Sequence, residues 1–118
     1  MNKQEEINEV LFQLHQGHFE FAEKLINAFQ LDCFSKEEWG FRYKKDEIEI
    51  EFFFDGTKYW FKNEQLHRDG DKPAVVFANG TKYWFKNGKR HRDGDKPAIV
   101  WFDGRKEWWV NGKLIRKE

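Results

Sequence analysis

The chain has 118 residues, enough for one domain with a single core, and carries 21 Lys and Arg against 21 Asp and Glu. This zero net charge argues against a non-specific nucleic-acid binder and against a polybasic membrane anchor. There is no apolar run long enough for a transmembrane helix, and residues 1–10 lack the apolar core of a signal peptide. Cys33 has no partner for an internal disulfide, so we expect a cytoplasmic location. The 6 Trp, 3 Tyr and 13 Phe exclude disorder.

The first 38 residues are expected to form a helical cap. Asn2 followed by Glu5 is typical of a capped helix start, and apolar residues then recur at helical spacing, which predicts a helix over 3–16. A second helix is predicted over 18–31. His15 and His18, at the helix end, are expected to be exposed. The segment 35–38 resembles another cap but is expected to open only a turn.

Residues 39–118 are expected to form a β-sheet. A first hairpin is predicted over 39–54, and a 24-residue repeat follows, in which residues 55–78 and 79–102 are identical at 17 of 24 positions. A shortened third copy covers 103–118. Two turn signals in each unit predict successive antiparallel hairpins. The predicted fold class is therefore α+β: one domain, 1–118, with two N-terminal helices packed on one face of a twisted antiparallel meander.

The turns predict which side chains share a face of the sheet. Asp-Gly or Asn-Gly between apolar runs indicates a two-residue type I′ turn, and with Asn79-Gly80 as that turn Phe77 would lie opposite Lys82. Asn63-Glu64 lacks the glycine found in the other copies and is expected to be strained. One predicted face carries Val75, Phe77, Lys82, Trp84 and Lys86. The other carries Ala74, Val76, Ala78, Thr81, Tyr83 and Phe85.

The repeat also resembles a known family. The stretch Trp84-Phe85-Lys86-Asn87-Gly88-Lys89-Arg90-His91, followed by a strand and Asp103-Gly104, is similar to the membrane-occupation-and-recognition-nexus (MORN) repeat, as are 60–67 and 108–113. Arg68 and Arg92 stand where that family has glycine, and each unit is one residue longer. Similar units occur in uncharacterised phage and bacterial proteins. The resemblance implies an interaction scaffold, in some members associated with lipid head groups, without catalysis.

Catalytic and metal-binding interpretations of the repeat are weaker. His-Arg-Asp occurs once in each full repeat and without the other motifs of a kinase, so a catalytic loop is not expected. Asp69-Gly70-Asp71 and Asp93-Gly94-Asp95 lack the distal ligand of a calcium loop, which favours turns in which Asp accepts backbone N–H bonds. The third copy has Ile115 in place of His67 and His91, which favours a packing position over a zinc ligand. Cys33 has no evident catalytic partner and is expected to be a small buried residue.

The tryptophans of the repeat are the predicted binding residues. Trp60, Trp84 and Trp108 fall on one predicted face with a rim of lysines, namely Lys58, Lys62, Lys82, Lys86 and Lys106. The helices are expected on the opposite face, which carries Val76, Val100, Phe52, Tyr59, Tyr83 and Phe85. The exposed tryptophans would then bind a partner protein or a second copy of the chain.

Three function classes remain open. The first is a non-enzymatic protein–protein interaction module, with no catalytic residue, cofactor or metal. The second is a phage-type inhibitor of a host defence or CRISPR nuclease complex, which would also act by binding. The third is a single-stranded nucleic-acid binder, because aromatic rings on a sheet can stack on bases while lysines contact phosphates.

Overall fold

A computed structural model describes all 118 residues. The helices are α1 (Lys3–His15) and α2 (Phe19–Phe29). Twelve strands follow in chain order: β1 (Phe34–Glu37), β2 (Gly40–Lys45), β3 (Ile48–Phe53), β4 (Lys58–Lys62), β5 (Gln65–Leu66), β6 (Val75–Val76), β7 (Lys82–Tyr83), β8 (Phe85–Lys86), β9 (Lys89–Arg90), β10 (Ile99–Val100), β11 (Lys106–Val110) and β12 (Lys113–Lys117).

The two predicted helices are present, and local chemistry sets their ends. The Asn2 side chain accepts the N–H of Glu5 at 2.8 Å, and the Glu5 carboxylate accepts the N–H of Asn2, which is the reciprocal cap predicted for α1. Helix α2 ends at Gln30, whose backbone is left-handed with φ of 55°. The 35–38 segment differs from the prediction, because residues 35–37 belong to β1 and pair with β2.

The predicted antiparallel meander is confirmed. The main sheet has ten strands in the order β1-β2-β3-β4-β6-β7-β10-β11-β12, with β5 paired to β4, and every pairing is antiparallel. No helix lies between residues 55 and 118. One detail departs from a single sheet, because β8 and β9 form a separate two-stranded ladder.

The predicted register in the repeats is wrong by one residue. Val76 lies opposite Lys82 and Val75 opposite Tyr83, because the loop contains three residues between Phe77 and Thr81. Only Gly80 has a positive φ there, 94°, while Asn79 accepts the N–H of Thr81 at 2.9 Å through its side chain. This is a type I turn followed by a glycine bulge, not a type I′ turn. A one-residue slip moves each side chain to the other face.

The second turn of each unit is the type I′ turn. Asn87 and Gly88 have φ of 50° and 80°, and Asn111 and Gly112 repeat the conformation at 49° and 82°. In the first copy Glu64 takes the glycine position with φ of 65°. The strain predicted there is therefore present, since a side chain in the left-handed region costs about 1–2 kcal/mol.

The helices cover the face that carries Trp60, which corrects the predicted placement. In the core, residues from the two helices and the segment after them pack on one face of β1 to β4; the buried members are Ile7, Val10, Leu14, Ala22, Leu31, Phe34, Phe41, Tyr43, Ile50, Phe52 and Trp60. Direct pairing places Ile50 beside Trp60 and Phe52 beside Lys58. Of the residues expected under the helices, Phe52 and Val76 are there, whereas Tyr59 and Tyr83 lie on the other face.

Candidate interaction surfaces

The three predicted tryptophans are buried, so the expectation of exposed rings is wrong. Trp60, Trp84 and Trp108 are 7%, 8% and 8% exposed. His15 of α1 stacks on Trp60 with ring centroids 5.7 Å apart, so His15 is also not the exposed residue predicted from the sequence. Burial, with the charges of Lys58, Arg68 and Lys72, lowers the pKa of His15 to about 4.

An arginine covers each tryptophan. The guanidinium carbons of Arg68, Arg92 and Arg116 lie 3.7, 3.9 and 3.9 Å from the ring centroids of Trp60, Trp84 and Trp108. Each pair is separated by eight residues, so the contact recurs with the repeat. Arg68 and Arg92 are the residues that depart from the MORN pattern. In this fold they form cation–π contacts that close the tryptophan face.

The Asp-Gly-Asp turns bind the next repeat. The indole N–H groups of Trp84 and Trp108 donate to the carbonyl oxygens of Asp71 and Asp95, each at 3.2 Å. Arg92 donates to both Asp71 carboxylate oxygens at 2.9 and 3.3 Å. Hydrogen bonds from Arg92 and then Lys96 lower the pKa of Asp71 to about 2. The turns are present as predicted, but the Asp71 carboxylate accepts from side chains of the next unit, not from backbone N–H groups.

The two repeat histidines also join neighbouring units. Nδ1 of His67 accepts the backbone N–H of Asn87 at 3.0 Å, which places the proton of the neutral ring on Nε2, 2.8 Å from an Asp69 oxygen. His91 makes the same contacts with Asn111 at 3.0 Å and Asp93 at 2.7 Å. These histidines are therefore packing positions, as the sequence indicated, with an added role in hydrogen bonding between units.

Most of the predicted binding lysines are engaged within the chain. Nζ of Lys58 donates to the carbonyl oxygen of His15 at 3.1 Å, at the end of α1. Lys62 and Lys86 lie 3.5 and 3.8 Å from Asp69 and Asp93. Lys82 is exposed and forms no hydrogen bond or ion pair. Trp84 and Lys86 meet in a polar groove of about 130 Å³ between two repeats, lined also by His67, Arg68, Asp71 and His91.

The opposite face carries a continuous row of half-buried aromatic rings, which we call the aromatic stripe: Trp39, Phe53, Tyr59, Phe77, Tyr83 and Trp101. Successive ring centroids are 4.5, 5.4, 6.4, 5.1 and 5.8 Å apart. None of the six belongs to the core beneath the helices. Val75 and Ile99 pair directly with Tyr83 and are 2% exposed, so the rings shield them from water. The sequence did not predict this stripe, because the helices were placed over Tyr59 and Tyr83 and the predicted register put Phe77 on the opposite face.

Acidic residues lie at one end of the stripe. An open groove of about 670 Å³ is lined by Lys44, Asp46, Glu47, Glu49, Glu51, Phe61, Asn63 and Glu64. Arg42 bridges two of these carboxylates, at 3.5 Å from Glu49 and 3.6 Å from Glu51. Burial, and then the neighbouring Glu49, nevertheless raise the pKa of Glu51. We call this group the acidic end.

Basic residues lie at the other end of the stripe. Arg90 lies 4.9 Å from the Trp109 ring and 5.7 Å from the Tyr83 ring, and Arg105 lies 5.3 Å from the Trp101 ring. Carboxylates accompany these cations, because Arg105 lies 2.9 Å from Asp103 and Lys117 pairs with Glu107 on the same face. We call Arg90, Arg105 and Lys117 the basic end. It belongs to a wider asymmetry, because residues 1–54 have 6 cations and 12 carboxylates whereas residues 55–118 have 15 and 9.

The remaining candidate groups are limited. Cys33 is half-buried, and burial raises the pKa of its thiol. No three His, Cys, Asp or Glu side chains come together as a metal-binding group. No helix of the chain is both long and apolar enough to cross a membrane.

Comparison with known proteins finds one short similarity. No family model matches the chain, and no solved structure matches it. Uncharacterized protein L111 of Acanthamoeba polyphaga mimivirus is 64% identical over 22 residues, which are 19% of this chain and 6% of that protein. The chain therefore matches only a small part of that relative, over nearly one repeat length. The MORN resemblance remains a prediction.

Proposed function

We propose that the chain is a non-enzymatic protein–protein interaction module and that the face with the aromatic stripe is its contact surface. The observation that carries this proposal is the row of six half-buried rings in mutual contact on the face away from the helices. The proposal keeps the function class favoured by the sequence and moves its surface from the tryptophan face to the opposite one.

The stripe has the chemistry of a protein interface. Aromatic residues are enriched at such interfaces because they supply large contact areas at little cost in conformational entropy. Here edge-to-face contacts such as Phe77 with Tyr83, at 5.1 Å and 78°, fix the rings before a partner arrives. The charged groups lie at the two ends, so an uncharged centre is bordered by polar residues. An inhibitor of a nuclease complex would use the same kind of surface and would differ in its partner.

One observation supports nucleic acid as a second candidate. Residues 79–118 contain 11 cations and 5 carboxylates, so the zero net charge of the whole chain conceals a basic half. On the stripe face, Arg90 lies 5.7 Å from the Tyr83 ring and Arg105 lies 5.3 Å from the Trp101 ring. Single-stranded nucleic acid could stack on these rings while phosphates contact the two arginines.

A capture experiment tests the proposed surface. The tagged protein and the variants Tyr83→Ser and Trp101→Ser are incubated with a native lysate. Phe12→Ser serves as the matched control, because Phe12 is a 54% exposed ring on α1 outside this face. Circular dichroism of every variant verifies folding, and Trp101→Ser carries the test if Tyr83→Ser is unfolded. We expect wild type and control to retain the same protein, and the two stripe variants to lose it by about tenfold or more.

Two results would decide against this function. Equal retention by wild type and the stripe variants would exclude the stripe as the contact surface. Retention that disappears after nuclease treatment and falls steeply with salt would favour the nucleic-acid binder, because phosphate contacts release counterions.

A further inference from the structure

We infer that Trp60, Arg68 and Lys72 form a binding site for an aspartyl residue of a partner protein, with Lys58 adding positive charge. The site lies beside Trp60 on the face that the helices cover, opposite the aromatic stripe. It is therefore a second contact point and does not depend on the stripe. The second repeat makes the same contact within the chain, whereas the first repeat has the donors without the acceptor.

Asp71 shows how the second repeat, 79–102, binds an aspartate. Its carbonyl oxygen accepts the indole N–H of Trp84 at 3.2 Å. Its carboxylate accepts the Nε and Nη2 groups of Arg92 at 2.9 and 3.3 Å, and Nζ of Lys96 at 2.9 Å. Two arginine N–H groups on one carboxylate are a strong, charge-assisted contact. One aspartyl residue thus serves three side chains of the second repeat.

The first repeat, 55–78, presents the same three donors. Trp60, Arg68 and Lys72 each precede their counterpart by 24 residues. Arg68 and its counterpart lie 3.7 and 3.9 Å from the tryptophan ring centroid and donate to a proline carbonyl at 3.2 and 3.1 Å. The loop before Lys72 also matches, because Gly70 and Asp71 have φ of 80° and 54° against 80° and 53° one repeat later. The donors are therefore held in equivalent positions.

The chain supplies no aspartate to these donors. The residue equivalent to Asp71 is Glu47, which lies in the turn between β2 and β3 and belongs to the acidic end. Arg68 donates only to a backbone carbonyl. No buried side-chain nitrogen lacks a hydrogen-bond partner, so the indole N–H of Trp60, which has none, reaches the surface. All three donors are thus available to an acceptor from another molecule.

The site is cationic. None of the ion pairs of the chain includes Lys58, Arg68 or Lys72. Lys58 donates to the carbonyl oxygen of His15 at the end of α1, and burial and then the charge of Arg68 lower its pKa. Burial also lowers the pKa of Arg68. A bound carboxylate would relieve the repulsion among these cations, which a neutral ligand would not do.

The donor set matches an aspartyl residue better than a free anion. The indole N–H takes a main-chain carbonyl oxygen and the two cations take the carboxylate, so a phosphate or a small acid would satisfy only the cations. No cavity is needed, because the side chain of Asp71 in the equivalent contact is 43% exposed. A side chain on the surface of a partner can therefore reach the site.

An NMR titration of the isotope-labelled protein tests the site. The probes are acetyl-Gly-Asp-Gly-amide (the Asp peptide), its neutral match acetyl-Gly-Asn-Gly-amide (the Asn peptide), acetate and inorganic phosphate, all at one ionic strength because salt screens such contacts. The signals of the Trp60 indole N–H and the Arg68 Nε–H report binding. The signals of Trp84 and Arg92 are internal controls, because Asp71 already accepts from both side chains.

We expect the Asp peptide to shift the Trp60 and Arg68 signals to saturation and to leave that of Arg92 in place. It should bind about twofold to tenfold more tightly than acetate, because its main-chain carbonyl adds one hydrogen bond. The Asn peptide should bind at least about tenfold more weakly, since it lacks the charge. Lys72→Gln, at an exposed position, should weaken binding about twofold to fivefold. Lys96→Gln, the matched control in the second repeat, should bind like wild type.

Several results would overturn the inference. These are signals of Trp60 and Arg68 that do not move, equal binding of the Asp and Asn peptides, and Lys72→Gln binding like wild type. Acetate binding as tightly as the Asp peptide would exclude recognition of an aspartyl residue, and tighter binding of phosphate would assign the site to a phosphate ligand instead. The stripe is tested separately, because Tyr83→Ser alters the other face and should leave binding of the Asp peptide unchanged.

Discussion

Trp84 provides a direct test of the assigned sheet faces. Its ring is 8% exposed, lies under Arg92 at 3.9 Å and donates to Asp71 at 3.2 Å. A buried tryptophan removes roughly 150–250 Å² from water, which at about 25 cal/mol per Å² corresponds to about 4–6 kcal/mol as an upper bound. Partial collapse of the site reduces this cost, so we expect Trp84→Ala to lower the free energy of unfolding by about 3–5 kcal/mol.

Urea denaturation followed by circular dichroism measures this loss. A domain has only about 5–15 kcal/mol of stability, so Trp84→Phe provides a milder substitution that keeps a ring under Arg92. It should cost about 1–2 kcal/mol, chiefly through the lost indole hydrogen bond. Phe12→Ala, at a 54% exposed position, is the control and should change stability by less than about 0.5 kcal/mol. A loss below about 1 kcal/mol for Trp84→Ala would refute the assignment of this ring to the buried face.

Three further predictions follow from the packing. Folding lowers the pKa of His15 from 6.5 to about 4. As the pH decreases, His15 is therefore protonated in the unfolded chain before it is protonated in the folded one. Stability should therefore fall by on the order of 1–2 kcal/mol, after allowance for solvent screening, as pH decreases from about 6.5 to 4; thermal melts of wild type and His15→Phe should show a smaller fall in the variant. Gly40→Ala should destabilise the fold by about 1–3 kcal/mol in urea melts, because its Cβ would overlap the backbone carbonyl of Phe52; an unchanged melt would contradict this close approach. Glu64→Gly should stabilise by about 1 kcal/mol by relieving the positive φ of 65°, whereas Glu64→Ala should not, and equal effects of the two would attribute the gain to the lost charge.

The repeat contacts explain why the period is kept through the array. Thr57 accepts the N–H of Ala78 at 3.2 Å, and Thr81 accepts that of Phe102 at 3.1 Å, one repeat later. The strands β6, β7 and β10 are only two residues long. The threonine, histidine and tryptophan side chains therefore add the hydrogen bonds that hold each hairpin to its neighbour. An inserted or deleted residue would break several of them at once, so unit length and stability are linked.

The amino-acid sequence by itself determined the local structure of this protein. The Asn2–Glu5 cap, the apolar spacing in α1 and the turn glycines act over a few residues, and they correctly predicted two helices followed by an antiparallel meander. The 24-residue period likewise predicted that equivalent positions would have equivalent surroundings. It did not reveal that Arg68 and Arg92 would cover the preceding tryptophans, although their constant spacing of eight residues was visible.

Only the tertiary structure decided which face is buried. Asn79-Gly80 is compatible with both a two-residue and a three-residue loop, and in the three-residue loop the N–H of Thr81 donates a hydrogen bond to the side-chain oxygen of Asn79. That single residue puts Val75 on the same face as Tyr83, and the helices, which pack on the face of Trp60, leave the tyrosine face open. The distribution of charge is similar, because composition records a net charge of zero whereas the pairing of β3 with β2 and β4 brings Glu49, Glu51 and Glu64 together around one groove.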